Sequence, residues 1–147
     1  MRNEPGSPIS VLLVEDEEAL LDLLGRVLRQ SGFTIYEADS SEQALELWAK
    51  HAEQIDVLAT DVMMAQMNGF ELAEQLRKSK PELNVICMTG YSTEMLKRQI
   101  DQNPDYNILQ KPFRPRDLAN LIRGTCFFRR GPELGEGQSR EEREGNF

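Results

Sequence analysis

The chain is poor in the residues that most often build metal and redox centres. It has a single histidine, a single tryptophan and two cysteines in 147 residues. Cys87 and Cys126 do not make a metal-type spacing. Cys87 sits inside an apolar run and reads as a buried free thiol, and two unpaired thiols fit a reducing compartment. His51 falls late in a helical stretch and reads as an ordinary packing or surface residue. No stretch approaches the ~20 apolar residues of a membrane span. The opening Met1 to Pro8 has no apolar segment of the secretory type, so the expectation is a cytoplasmic protein. Basic residues are also short: 17 Lys and Arg stand against 25 Asp and Glu, for a net charge of −8. That balance argues against nucleic acid as a partner and against docking on an anionic membrane.

What is present is a globular composition, 39% hydrophobic and 29% charged, long enough for one domain with a real core. Residues 1–8 read as a disordered lead-in, 9–124 as the domain, and 125–147 as a polar, disordered tail. Within the domain, strand-like and helix-like segments alternate. Residues 9–14 are a short apolar run of the kind buried on both faces of a sheet. Residues 17–30 follow with Leu20, Leu24, Val27 and Leu28 at helical spacing, and Ser31-Gly32 ends that helix. Residues 33–37 read as the second strand. Ser41 is the expected cap of the second helix, with Leu45 and Trp48 facing inward. The third strand runs to about Thr60. Asn68 with Glu71 three residues on has the spacing of a capping box, and Leu72, Ala73 and Leu76 give the third helix its apolar face. A fourth strand is read over 84–88, a short helix over about 93–101, a fifth strand over about 106–110 and a last helix over about 115–124.

Five alternating strand–helix units imply a parallel sheet covered by helices on both faces. The fold class is α/β, a flavodoxin-like doubly wound (βα)5 sheet in strand order 2-1-3-4-5, with its switch point between the first and third strands.

Ligands of such sheets bind outside the carboxyl ends of the strands. Glu15 and Asp16 stand at the end of the first strand, Asp61 at the end of the third, Thr89 at the end of the fourth and Lys111 at the end of the fifth. Strand-end acids are often mere solvated charges; Glu15 and Asp16 become informative because Asp61 ends the neighbouring strand. Three carboxylates in one crevice repel each other unless a cation sits among them, and hard oxygen ligands suit Mg²⁺, with Mn²⁺ as an alternative. The Met63 backbone carbonyl is a further candidate ligand. Asp61 is the candidate nucleophile, since carboxylates form aspartyl phosphates. Lys111 supplies a movable positive charge and Thr89 a hydroxyl donor to phosphoryl oxygens. Gly90 leaves the crevice open or permits a turn. Lys111-Pro112 is a candidate cis peptide.

The segments Val11-Leu12-Leu13-Val14-Glu15-Asp16-Glu17, Thr60-Asp61-Val62-Met63-Met64 with Met67-Asn68-Gly69, Met88-Thr89-Gly90-Tyr91 and Gln110-Lys111-Pro112-Phe113 occur in the order found in one family. The chain resembles the receiver domain of two-component response regulators over about residues 9–124. The resemblance implies that Asp61 accepts a phosphoryl group from a phosphohistidine of a sensor histidine kinase or histidine phosphotransfer domain. It implies Mg²⁺ on Glu15, Asp16, Asp61 and the Met63 carbonyl, with Thr89 and Lys111 sensing the phosphoryl group. It also implies a signal passed to an output protein by phosphotransfer, or by a change of the face formed by the fourth helix, fifth strand and fifth helix. The wording around Thr89 and Lys111 is similar to receivers of hybrid sensor kinases. Such a domain is a signalling module and not an enzyme in its own right.

Three positions depart from the family pattern. Ala65 stands where Pro is usual, which predicts a less rigid loop. Ile108 stands where many members carry a switch aromatic, with Tyr106 two residues earlier on the same strand face. Arg114 replaces a capping Ser or Thr, which predicts a weakened start of the last helix. Two other readings compete. One is a non-phosphorylated module working through protein contacts alone. The other is a small phosphatase, disfavoured by Met63, which stands where a second acid would be needed.

Overall fold

The computed structural model describes residues 7–92 and 94–130, the last four as backbone. Five strands form one parallel sheet: β1 (Ser10–Val14), β2 (Thr34–Ala38), β3 (Val57–Asp61), β4 (Asn84–Thr89) and β5 (Asn107–Gln110). Their order is β2-β1-β3-β4-β5. The helices are α1 (Glu18–Gln30), α2 (Ser41–His51), α3 (Gly69–Ser79), α4 (Lys97–Gln102) and α5 (Pro115–Arg130). The flavodoxin-like topology read from the sequence is the one observed. Among the described residues no helix is long and apolar enough to cross a membrane.

The core divides by strand parity, because successive side chains point to opposite faces. Leu12, Val14, Leu58, Val85 and Cys87 face α2 and α3, where Ala44, Trp48, Leu72, Ala73 and Leu76 meet them. Val11, Leu13, Val57, Ala59, Ile86 and Met88 face α1 and α5, with Leu24, Leu28, Leu118 and Ile122. Central strands β1 and β3 are buried at every position. This is why they read as unbroken apolar runs without alternation.

Several boundaries differ from the sequence reading. The buried stripe of α1 is Leu21, Leu24, Gly25 and Leu28; Leu20 and Val27 flank it, half-buried. Ser40, one residue earlier than expected, caps α2 by accepting from Gln43 N–H. The fourth helix is shorter than expected, has no side-chain cap and buries none of its own residues; it leans on buried Leu96 before it and half-buried Ile100. Arg114 does not leave α5 uncapped: the Asp117 carboxylate accepts from Arg114 N–H at 3.0 Å. The largest difference is at the end of α5, which continues through residues 125–130. Gly124 does not stop it, and Cys126 carries the apolar period one turn further into the core at 1% exposure. The expected tail therefore begins six residues too early, and its remainder, 131–147, lies outside the described residues. So does most of the expected lead-in; Ser7 and Pro8 have no regular structure.

Three polar side chains stitch the loops opposite the site. Lys80 Nζ donates to the Ile55, Ala52 and Glu53 carbonyls at 2.6, 3.0 and 3.4 Å, satisfying the chain just past the end of α2. Arg77 donates twice to the Leu83 carbonyl, pairs with Asp105 and lies over the Tyr106 ring. Trp48 Nε1 donates to Ser79 Oγ. His51 stacks on Tyr36, a packing role as expected.

Candidate functional site

The site is built by register. Val14 pairs with Thr60 and Asp61 with Met88, so the residues that follow β1 and close β3 emerge together at the carboxyl edge. Parity then sorts their side chains. Glu15 follows Val11 and Leu13, Asp61 follows Val57 and Ala59, and Lys111 follows Leu109, all on the α1/α5 face. Thr89 follows Val85 and Cys87 and belongs to the α2/α3 face.

Accordingly the structure brings four of the predicted residues into one cluster. Glu15, Asp16 and Asp61 each offer a carboxylate oxygen within 4.8 Å of the others. Lys111 Nζ lies 3.0 Å from Glu15 Oε1 and 3.3 Å from Asp61 Oδ1. Glu15 is buried to 1% exposure and its other oxygen accepts from Glu17 N–H at 3.1 Å. Asp61 is buried and Asp16 exposed. Thr89 is joined to the cluster through the backbone: Lys111 N–H donates to the Thr89 carbonyl at 2.7 Å. Its hydroxyl accepts from Tyr91 N–H at 3.0 Å. Met63 is exposed beside Asp61. The Lys111–Pro112 bond is cis, as read from the sequence.

Burial governs the electrostatics. It raises the Glu15 carboxyl above its ordinary range, against the pull of Glu17 N–H and Lys111. It raises Asp61 too, against the charge and hydrogen bond of Lys111, with Asp16 adding to the rise. Burial alone would lower the Lys111 ammonium, but its bond to Glu15 and the charge of Asp61 raise it overall. One cation thus serves two carboxylates, with a third beside them.

The loop after Asp61 is held by contacts that the sequence reading did not specify. Val62 N–H donates to the Met88 carbonyl, and Gly69 N–H to the Val62 carbonyl at 2.9 Å. A Cβ on Gly69 would collide with the Asp61 carbonyl and lie 3.1 Å from Thr60 Cγ2. The signal in the sequence was the capping box itself, which fixes residue 69 as the first of α3. Ala65 and Gln66 form a tight turn closed by Met67 N–H on the Ala65 carbonyl, with Gln66 at φ 73°. Gln110 Nε2 reaches the Tyr91 carbonyl, tying the end of β5 to the loop after Thr89. Tyr106 shares the core on its side of the sheet with half-buried Ile108; it stacks on Phe70, 6.5 Å between ring centres, and lies under Arg77.

Comparison with known proteins identifies the family to which this fold belongs. The family model for the response regulator receiver domain matches residues 11–123. The chain is 34% identical over 114 residues to the sensor kinase CckA of Brucella abortus, a stretch covering 78% of this chain and 12% of that protein. It is 32% identical over 112 residues to the response regulator receiver protein CpdR of the same organism, covering 76% of this chain and 92% of CpdR. Among solved structures, the receiver domain from the hybrid histidine kinase CckA superposes with a TM-score of 0.67 at 29% identity, over 79% of this chain and 97% of that one. A receiver domain protein from Clostridium thermocellum does so with a TM-score of 0.73 at 25% identity, over 80% and 93%. The chain belongs to the response regulator receiver domain family of two-component signalling.

Proposed function

We propose that Asp61 accepts a phosphoryl group from a phosphohistidine on a sensor histidine kinase or a histidine phosphotransfer domain. The observation that carries this reading is the ammonium of Lys111 bridging Glu15 and Asp61 at the mouth of a three-carboxylate cluster. That donor set is all hard oxygen and fits a divalent cation: Glu15, Asp16, Asp61 and the Met63 carbonyl would hold Mg²⁺, or Mn²⁺ in its place. When bound, the ion supplies positive charge against the phosphoryl oxygens.

In the transfer an Asp61 carboxylate oxygen attacks phosphorus. The new O–P bond forms as the P–N bond breaks, and the imidazole nitrogen leaves with the bonding pair and takes up a proton. Lys111 exchanges its contact with Asp61 Oδ1 for a contact with a phosphoryl oxygen. The Thr89 hydroxyl accepts from Tyr91 N–H and keeps its own proton; since its side chain leaves β4 on the α2/α3 face, it must turn toward Asp61 before that proton can be donated to the phosphoryl group. The signal then leaves by onward phosphotransfer or by rearrangement of the face made by α4, β5 and α5. The likeness to a sensor kinase and to a receiver protein supports a place in a phosphorelay. The non-phosphorylated module finds no support, since every charged group the chemistry needs is assembled.

Intact mass after incubation with Mg²⁺ and phosphoramidate tests this. The expected result is gain of one phosphoryl group, lost without Mg²⁺ and lost in Asp61→Asn. A folded, metal-binding chain that never gains the group from phosphoramidate or from a phosphorylated histidine domain would refute it.

A further inference from the structure

Two demands of the fold meet at one peptide bond. Residue 69 has to be glycine, because a Cβ there would strike the Asp61 carbonyl. Residue 68 has to cap α3: Asn68 Oδ1 accepts from Glu71 N–H at 2.9 Å, and Glu71 Oε1 accepts from Asn68 N–H at 2.9 Å. Together they place an asparagine amide before a residue with no side chain to shield its nitrogen. Asparagine is among the thermally labile residues, and Asn68 is half-exposed, so water reaches it.

We propose that Asn68–Gly69 is a deamidation site, and that the Asn68–Glu71 capping box sets its rate. Water is the only reagent. Gly69 N loses its proton to solvent and attacks Asn68 Cγ. The N–Cγ bond forms, the Cγ–Nδ2 bond breaks, and Nδ2 takes up a proton and leaves as ammonia. Water then opens the cyclic imide at either carbonyl, giving aspartate or isoaspartate at 68. In the folded chain two hydrogen bonds oppose the first step. The proton of the attacking nitrogen is engaged by the Val62 carbonyl at 2.9 Å. The carbon under attack is held away, because swinging Asn68 Cγ onto Gly69 N breaks the bond from Glu71 N–H. The isoaspartate product would insert an extra main-chain atom directly behind the peptide that seats Asp61. The site therefore ages at its own support.

The test is peptide mapping of the full chain after incubation at mildly alkaline pH, in buffer and in urea, with aspartate and isoaspartate forms separated by retention and mass. The native reaction is expected to be slower than the urea reaction by about tenfold or more, because it waits on a local opening. Glu71→Ala keeps the residue 71 N–H on Asn68 Oδ1 but removes the carboxylate that anchors Asn68 N–H. Loosening that half of the box should speed the native reaction about twofold to fivefold, the factor one net hydrogen bond gives, and leave the urea rate unchanged. Glu71→Gln keeps an acceptor and should keep the native rate. Lys80→Met, which destabilises the fold away from the loop, should not speed it. Equal rates in buffer and urea, an unchanged rate in Glu71→Ala, or equal acceleration by Lys80→Met would each overturn the proposal.

Discussion

Removing the Lys111 ammonium should make stability depend on pH in a direction fixed by the site. Lys111→Met keeps most of the side-chain length and drops the charge. It deprives Glu15 of a partner at 3.0 Å and Asp61 of one at 3.3 Å, with those side chains 1% and 9% exposed. Stranding one member of a fully buried pair costs roughly 3–5 kcal/mol. Lys111 is 25% exposed and Glu15 keeps Glu17 N–H, so about 2 kcal/mol is expected in metal-free buffer near neutral pH. In a domain of this size that lowers Tm by roughly 6–8 °C. Both carboxyls already sit above their ordinary range because of burial, and Lys111 holds them down. Without it they rise further. A carboxyl raised on folding binds its proton more tightly in the native state, so its unfavourable contribution is full above the folded value and fades as pH falls through it. The deficit of Lys111→Met should therefore be largest near neutrality and shrink toward about pH 4, where model carboxylates titrate. Urea unfolding followed by Trp48 fluorescence, in EDTA over that range, measures it. Glu15→Gln added to Lys111→Met should recover part of the loss. A deficit of equal size at both ends of the range, or none, would refute the assignment of Lys111 as the shared counter-charge.

Further outcomes follow from single contacts. Gly69→Ala should cost about 2 kcal/mol through overpacking against backbone and slow phosphoryl uptake from phosphoramidate; a variant as stable and as fast as the parent would show that the loop relaxes freely. Lys80→Met should cost about 1–2 kcal/mol, because the Ile55 and Ala52 carbonyls lose a charged donor, read as a shift in urea midpoint without change in phosphoryl uptake. Cys87 is fully buried and its thiol is pushed up to about 12 by that burial, so a thiol reagent should label it only after unfolding; native labelling would contradict the packing of β4.

Most of the site was legible because it depends on strand ends, and strand ends follow from where apolar runs stop. Glu15, Asp61 and Lys111 could be aligned with no knowledge of the helices. Thr89 was harder: its position at a strand end was readable, but parity sends its side chain to the other face, and one residue of register decides that. The extension of α5 was missed because Gly124 looks like a stop, while burial of Cys126 overrides helix propensity. The Asp117 contact with Arg114 N–H was missed because a cap is ordinarily supplied by the side chain at position 114, not by the acid three residues later. The bonds of Lys80 and Arg77 to distant carbonyls left no local pattern at all, since such contacts are set by loops that sequence spacing does not bring together.

The shortness of α4 has a consequence for the output face proposed above. Six residues cannot hold a helix by their own hydrogen bonds; α4 exists because Leu96 and Ile100 rest on the core. It is a latch fastened at two points, and unfastening it exposes little apolar surface. Its amides should exchange with solvent through local opening, well before those of β1 and β3. In an element so lightly fastened, about 1 kcal/mol of bias changes the population ratio about fivefold, a bias that the proposed phosphoryl group or one bound partner would supply. If phosphorylation of Asp61 biases α4 as proposed, the coupling is reciprocal: whatever grips α4 alters, by the same factor, the equilibrium at Asp61.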